Sequence, residues 1–520
     1  MNSKAKYFLP SIPQWLFLAV FLTLSFHSGS PLLYDADTGY HIRAGEYILS
    51  TFTVPDHDIF SFLSPPPKWT AHEWLSEVIM GLLHRAFGLT GVVLFFILLI
   101  SLTYPLLFRM MRSCRGNILA DVVILFLVII SSTLHWLARP HIFSLILTVV
   151  WYRLLEDFRK ERKNRLYLLP PLMLLWVNLH GGFMGGFLFL SVYSLGSLIA
   201  FRYSAREGRE QAKRNALFLG GTFFACLLVS LVNPYGHQIL FFPFRLVSQK
   251  YLMDHVNEFL SPNFHQVMPF KYLLLLTIAI LAVSVKKLDF VEISLLLIFL
   301  DMSLYSARYI PLFCIVTAPV LARQAGAALA RKEGPRFSVF RNKSDHIAAA
   351  DTSVKGHAWV ILGLLLVTGA AATGKMEFRF DRTKKPVDAV EFLKKERITG
   401  NMFNNDEFGD YMIYAAYPQY RVFFDGRSDM YGAERLKDYM RVIGLETGWE
   451  KVIAKYDIGW IFFDADSLLS RSLYEQEGWH LIYADKVANI FVKKTPEYRD
   501  VIRKFGNVSP FLPETGEEDA

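Results

Sequence analysis

The 520-residue chain is 53% hydrophobic and 15% aromatic but only 20% charged, with a mean hydropathy of +0.29. That is too apolar for an ordinary soluble protein and fits a polytopic membrane protein. The formal net charge of +8 does not point to nucleic acid, because Lys and Arg sit in short loops between hydrophobic segments, where the positive-inside bias accounts for them. Cys114, Cys226 and Cys314 show no metal-site spacing and cannot staple an extracytoplasmic domain.

Apolar runs near bilayer-spanning length lie at 12–33, 89–108, 118–138, 141–157, 166–178, 182–201, 215–232, 270–285, 288–305, 309–323 and 357–374. These predict about eleven transmembrane helices. The first run lacks a small-residue cleavage site and reads as a membrane helix, not a removed leader. With the N-terminus cytoplasmic, the basic loops 109–115, 159–165, 202–214, 286–287 and 323–355 all fall on the inner face, as the orientation rule requires. The expectation is a multi-pass protein of the inner (cytoplasmic) membrane.

The outer face then receives the loop 33–74, Arg139-Pro-His141, the stretch 178–182, the stretch 233–237 with its extension to Pro269, and 306–309. Each has a bland reading as helix punctuation or capping. Their shared sidedness argues for a polar cavity at the outer surface. After the last span, strand-like runs at 420–425, 457–463 and 488–492 alternate with helix-like runs at 387–395, 432–442 and 449–455. This texture predicts a small α/β domain, placed outside by an odd number of spans. The expected domains are 1–375, a transmembrane domain including the outer loop 34–88; 376–500, extracytoplasmic α/β; and a polar tail, 501–520.

The outer loop concentrates Asp35, Asp37, His41, Arg43, Asp58, His72 and Glu73. Residues 40–49 and 74–87 can form juxtamembrane helices, with Pro55 and Pro65–Pro67 forcing an extended crossing. Asp35 and Asp37 can hold a divalent cation through oxygen ligands, or one can act as general base toward an acceptor. Alternatively, one simply caps the following helix.

One membrane helix, an outer loop with an acidic motif and two juxtamembrane helices, many further spans and a distal soluble domain together resemble the GT-C glycosyltransferases. That superfamily includes protein O-mannosyltransferases, the aminoarabinose transferase that modifies lipid A, and the catalytic subunits of oligosaccharyltransferases. Asp35-Ala-Asp37, followed by His41 and Arg43, is similar to their loop motif. The resemblance implies a sugar carried on a polyprenyl phosphate or diphosphate, an extracytoplasmic glycan, lipid or protein acceptor, and Asp35 or Asp37 as catalytic carboxylate or ligand of Mg or Mn. It also implies that an Arg in the late spans, here Arg308, holds the carrier phosphate. Guanidinium suits that role, although snorkelling is its bland alternative. Arg139 has the same two readings, and His180 among glycines is a cavity-lining candidate. The segment 404–411 with 421–427 resembles the Trp-Trp-Asp-Tyr-Gly region of oligosaccharyltransferases, which makes Asp406, Asp410, Asp425 and Arg427 substrate-binding candidates. Asn404 and Asn405 stand where the tryptophans would be, which argues against sequon-directed N-glycosylation.

Two other classes compete. A transporter or flippase predicts internal repeats and ionisable residues at mid-membrane. The sequence shows no obvious repeat, and mid-span charges are few, with Asp121, Glu292 and Asp301 in or near spans. A non-catalytic protein that kept the fold is the third class, since fold does not imply function.

Overall fold

The structure is a computed structural model describing residues 5–27, 31–114, 116–161, 163–284 and 286–511. Residues 115 and 162 of the basic loops and 512–520 of the tail lie outside this set. The chain divides into two compact units. One comprises Met1–Ser28, Thr90–Arg245 and Met253–Glu377, the other Gly29–Leu89, Leu246–Leu252 and Phe378–Ala520. The loop that the sequence assigns to the membrane domain therefore belongs with the C-terminal segment. The physical reason is that its contacts are polar and aromatic ones to that segment, set out below.

The first unit is helical. Among the described residues, five helices are long and apolar enough to cross a membrane: Trp74–Ser113, Ile118–His135, Phe183–Tyr203, Gly208–Ser230 and Ala307–Arg331. A sixth span results if Pro335–Ser353 and His357–Ala372, bent by 69°, count as one. The sequence expectation of about eleven is not reached by this measure. Several apolar runs fold into shorter helices, such as Ile12–Phe26 and Pro269–Ala282, with 15 and 14 residues. At 1.5 Å per residue these extend about 22 Å, less than the ~30 Å hydrocarbon core.

Helix starts follow local chemistry. Asn117 caps Ile118–Ser132 by accepting from the N–H groups of Leu119 and Ala120. Asp289 caps Phe290–Tyr305, and Glu292 reciprocates at the Asp289 N–H, a capping box. Several charges near spans are paired. Asp121 pairs with Arg112 at 2.7 Å. Glu292 pairs with Arg323 and Lys160, and Arg159 bridges Glu156 and Asp289.

The second unit carries a mixed four-stranded sheet: β1 (Asn401–Asn404), β2 (Ile458–Asp464), β3 (Trp479–Ala484) and β4 (Ala488–Lys493), in the order β1-β2-β4-β3. β1 and β2 are parallel, and β4 is antiparallel to both β2 and β3. Central β2 and β4 are almost wholly buried, hence their continuous apolar runs. The run 420–425 does not join this sheet. Val422 instead bridges Ser61 of the outer loop, with Val422 N–H to Phe60 O at 3.1 Å. Asn404 takes the place of a neighbouring strand, accepting from Phe423 N–H at 2.8 Å and donating to Phe424 O at 2.7 Å. Asn405 caps the helix Asp406–Ala416 through Phe408 N–H. The two asparagines are therefore occupied in holding the backbone.

Candidate functional site

The acidic motif of the outer loop opens the helix Thr38–Thr51. Asp35 accepts the Asp37 N–H at 2.8 Å, an Asx-type turn. Asp37 occupies the N-cap position, yet its side chain makes no capping bond. That carboxylate hydrogen-bonds instead to the buried Asp410, from the helix Asp406–Ala416. Gly426 N–H donates to both Asp410 oxygens at 3.1 Å. Gly426 is itself exposed, and a β-carbon there would collide with the Asp37 carboxylate. This explains the glycine, which covers a carboxyl pair that is itself buried. Burial, with the charges of Asp425 and Asp35, raises the Asp410 pKa well above the usual carboxylate range, so Asp410 keeps a proton that Asp37 can share. Burial raises Asp406 as well, and pushes Asp464 up to about 6. Two carboxyls in contact cannot both ionise freely.

Beside this pair lies a different arrangement. Arg427 donates to Asp425 at 2.6 and 2.8 Å and reaches Asp58 at 2.9 Å. Its guanidinium packs over the rings of Trp69 and Phe60, with centroids at 4.7 and 4.9 Å. Asp58 also accepts from Phe60 and Ser61 N–H, and Asp425 from Tyr431 OH. Burial raises the Asp58 pKa, but the Arg427 charge together with the hydrogen bonds from Ser61, Phe60 and Arg427 holds the group below its ordinary value. None of the three is more than 8% exposed. Expected to bind substrate, Asp58, Asp425 and Arg427 are enclosed and bound to one another, joining the outer loop to the C-terminal segment. Arg427 Nη1 has no partner among the described residues.

The remaining loop candidates are also engaged. Arg43 donates through Nε and Nη2 to Tyr414 O at 2.8 and 2.5 Å and pairs with Glu46, which ties the Thr38–Thr51 helix to the Asp406–Ala416 helix. His41 is buried between Glu77, 3.2 Å from Nδ1, and Glu73, 3.7 Å from Nε2. His72 lies 3.7 Å from Glu73; burial raises the Asp429 pKa, and His72 offsets only part of that rise. Glu77 escaped the sequence reading, although it stands in the first turn of the helix Trp74–Ser113, four positions after Glu73. Asp464 sits on an apolar strand and gave no signal of its own.

In the first unit, Arg139 forms an ion pair with Glu258. Desolvation raises the Glu258 pKa, but the charges of Arg139 and Arg308 reverse this and hold it far below normal. Arg308 lies over the Phe259 ring at 5.1 Å. Ser306 Oγ donates to Glu258 O, and Ala307 N–H to Leu260 O, so the 257–261 segment is clamped beside Arg308. His180 Nδ1 lies 2.7 Å from Ser144 Oγ, which takes the Trp176 indole N–H at 2.6 Å, and it accepts Gly182 N–H at 2.9 Å. The neutral ring therefore carries its proton on Nε2. His135, His141 and His180 form a ladder with ring centroids 5.8 and 6.5 Å apart. Glu258 and His135 escaped the sequence reading; a lone Glu in a long extension carries no spacing signal.

No family model matches the sequence, and no curated protein matches it. Among solved structures, the chain is similar to the arabinofuranosyltransferase AftD from Mycobacteria, determined by single-particle cryo-EM, with a TM-score of 0.44 and 13% identity. The match covers 93% of this chain and 42% of that one, so the chain spans less than half the length of its neighbour. A likeness of this degree carries no argument about activity.

Proposed function

We propose that the protein is an integral-membrane glycosyltransferase of GT-C type. It moves a hexosyl or pentosyl group from a polyprenyl phosphate or diphosphate to an extracytoplasmic glycan, lipid or protein acceptor. One observation supports this reading above the others: the Asp37 side chain makes no cap hydrogen bond and instead hydrogen-bonds Asp410 beside exposed Gly426. In the proposed step the acceptor hydroxyl attacks the anomeric carbon. The bond from that carbon to the phosphate oxygen breaks, the phosphate leaves on the lipid, and Asp37 takes the hydroxyl proton. Asp406 is a candidate for orienting the acceptor. In the first unit, Arg139, Arg308 and His180 are the candidates for the carrier phosphate, with Glu258 as the anion the arginines hold in its absence.

Asp35 and Asp37 bring one carboxylate oxygen each within 4.8 Å, a hard-oxygen donor set that suits Mg or Mn. A cation held there would supply positive charge to a leaving phosphate. Because Asp37 also shares a proton with Asp410, cation and proton compete for the same carboxylate.

The test is transfer from a radiolabelled polyprenyl-phosphate sugar by the purified full chain, with and without chelator. Asp37→Asn is expected to lower turnover by about 10²–10⁴-fold, the usual range for a lost general base. Undiminished transfer by Asp37→Asn overturns the assignment. Uptake of the labelled lipid without a covalent product makes the protein a transporter or flippase instead. If wild type yields neither, the non-catalytic reading holds.

A further inference from the structure

The helix Pro335–Ser353 has no part in the reaction proposed above. It forms most of the long basic loop 323–355 and meets the next apolar helix, His357–Ala372, at 69°. Within the first unit it runs across the ends of other helices. Ser344 Oγ accepts the Ile118 N–H at 3.2 Å, at the start of Ile118–Ser132. Asp351 accepts the Ile12 N–H at 2.5 Å, at the start of Ile12–Phe26. Arg341 donates to Ala330 O and Lys332 O, at the end of Ile310–Arg331. Three apolar helices thus end on this one, and a fourth leaves it at a steep angle. Two of these neighbours, Ile118–His135 and Ala307–Arg331, are long and apolar enough to cross a membrane, and a helix held across their ends lies along its surface.

Its outward face fits that position. Arg336, Val339, Lys343 and Ile347 are exposed and follow one another by three, four and four positions, which aligns them in one stripe. Cations alternate with apolar side chains along it. Arg331 and Lys332, also exposed, extend the positive charge. Long basic side chains can reach phosphate while their apolar neighbours enter the acyl boundary. A basic loop needed only to set orientation during insertion has no requirement for interleaved, exposed apolar residues.

We propose that Pro335–Ser353 is an interfacial helix that binds the anionic headgroups of the leaflet on which it lies. The probe is phosphatidylglycerol, compared with phosphatidylcholine, on the purified full chain in detergent, with bound lipid counted by native mass spectrometry. Wild type is expected to prefer phosphatidylglycerol, and the preference to weaken at high salt. The variant Lys332→Gln/Arg336→Gln/Lys343→Gln is expected to lose it, by roughly fivefold for each cation removed, with its melting temperature in phosphatidylcholine unchanged. A wild type without the preference, or a variant that keeps it, overturns the proposal. A second measurement is independent of that variant's folding: Val339→Cys labelled with bimane, in nanodiscs whose lipids are brominated near the headgroup. Quenching is expected, and an unquenched label overturns the proposal. Neither measurement depends on sugar transfer.

Discussion

Asp464 shows how one buried carboxyl makes stability depend on pH. Its folded pKa of about 6 lies above the ordinary value near 3.9. As pH rises from about 4 to about 6, the unfolded chain gives up this proton while the folded chain keeps it, so stability falls across that window and stays reduced above it. Asp464→Asn has no proton to lose. It is expected to raise the melting temperature at pH 7–8 and to flatten the decline between pH 4 and 6, both read from thermal unfolding of the full chain. Arg427 acts in the opposite sense, since its removal leaves two buried carboxylates unpaired. Arg427→Ala is expected to cost about 3–5 kcal/mol, measured by denaturant unfolding. A variant that unfolds normally but no longer binds acceptor would mean that Arg427 serves the substrate and not the fold.

At the scale of elements, the outer loop keeps its position through close helix packing. Gly45, on the helix Thr38–Thr51, faces the backbone carbonyl of Glu77, on the first part of the helix Trp74–Ser113, and a β-carbon there would overlap that oxygen. The obstacle is backbone, so relief requires the two helices to separate. Gly45→Ala is expected to destabilise the second unit by about 1–3 kcal/mol, checked by limited proteolysis across 33–74. The break at Gly88, with φ 64°, separates that packed first part from the membrane-spanning remainder of the same helix. A positive φ there is easy only for glycine. Asn404 and Asn405 both serve the backbone. One replaces a strand partner and the other caps a helix, so Asn405→Ala is expected to cost about 0.5–2 kcal/mol of stability, read from the same unfolding curves.

For the whole molecule, the distribution of charge predicts a topology. Alkaline phosphatase fused after residue 505 is expected to be active, and the same reporter placed within 323–355 inactive, if the positive-inside rule sets the orientation with the basic loop inside. Activity at both positions would undo the orientation and, with it, an extracytoplasmic acceptor. The same distribution accounts for the internal ion pairs. Glu292, Arg323 and Lys160 meet at helix ends, where each charge has an opposite partner and none is left alone in the apolar layer.

Membrane residence, the basic loops, the acidic outer loop and the α/β texture near the C-terminus were legible in the residues, because bilayer and sheet impose composition locally, within a few turns or strands. The juxtamembrane helix Thr38–Thr51 and the strands β2 and β4 were legible for the same reason. The partnerships were not. Arg43 meets Tyr414 across 371 positions, Asp37 meets Asp410, and Asp58 shares Arg427 with Asp425. No local pattern encodes which distant carboxyl will be brought close enough to share a proton or lose its water. Folding alone sorted seemingly equivalent acidic residues into two buried groups, Asp37 against Asp410 and Asp58 with Asp425 around Arg427.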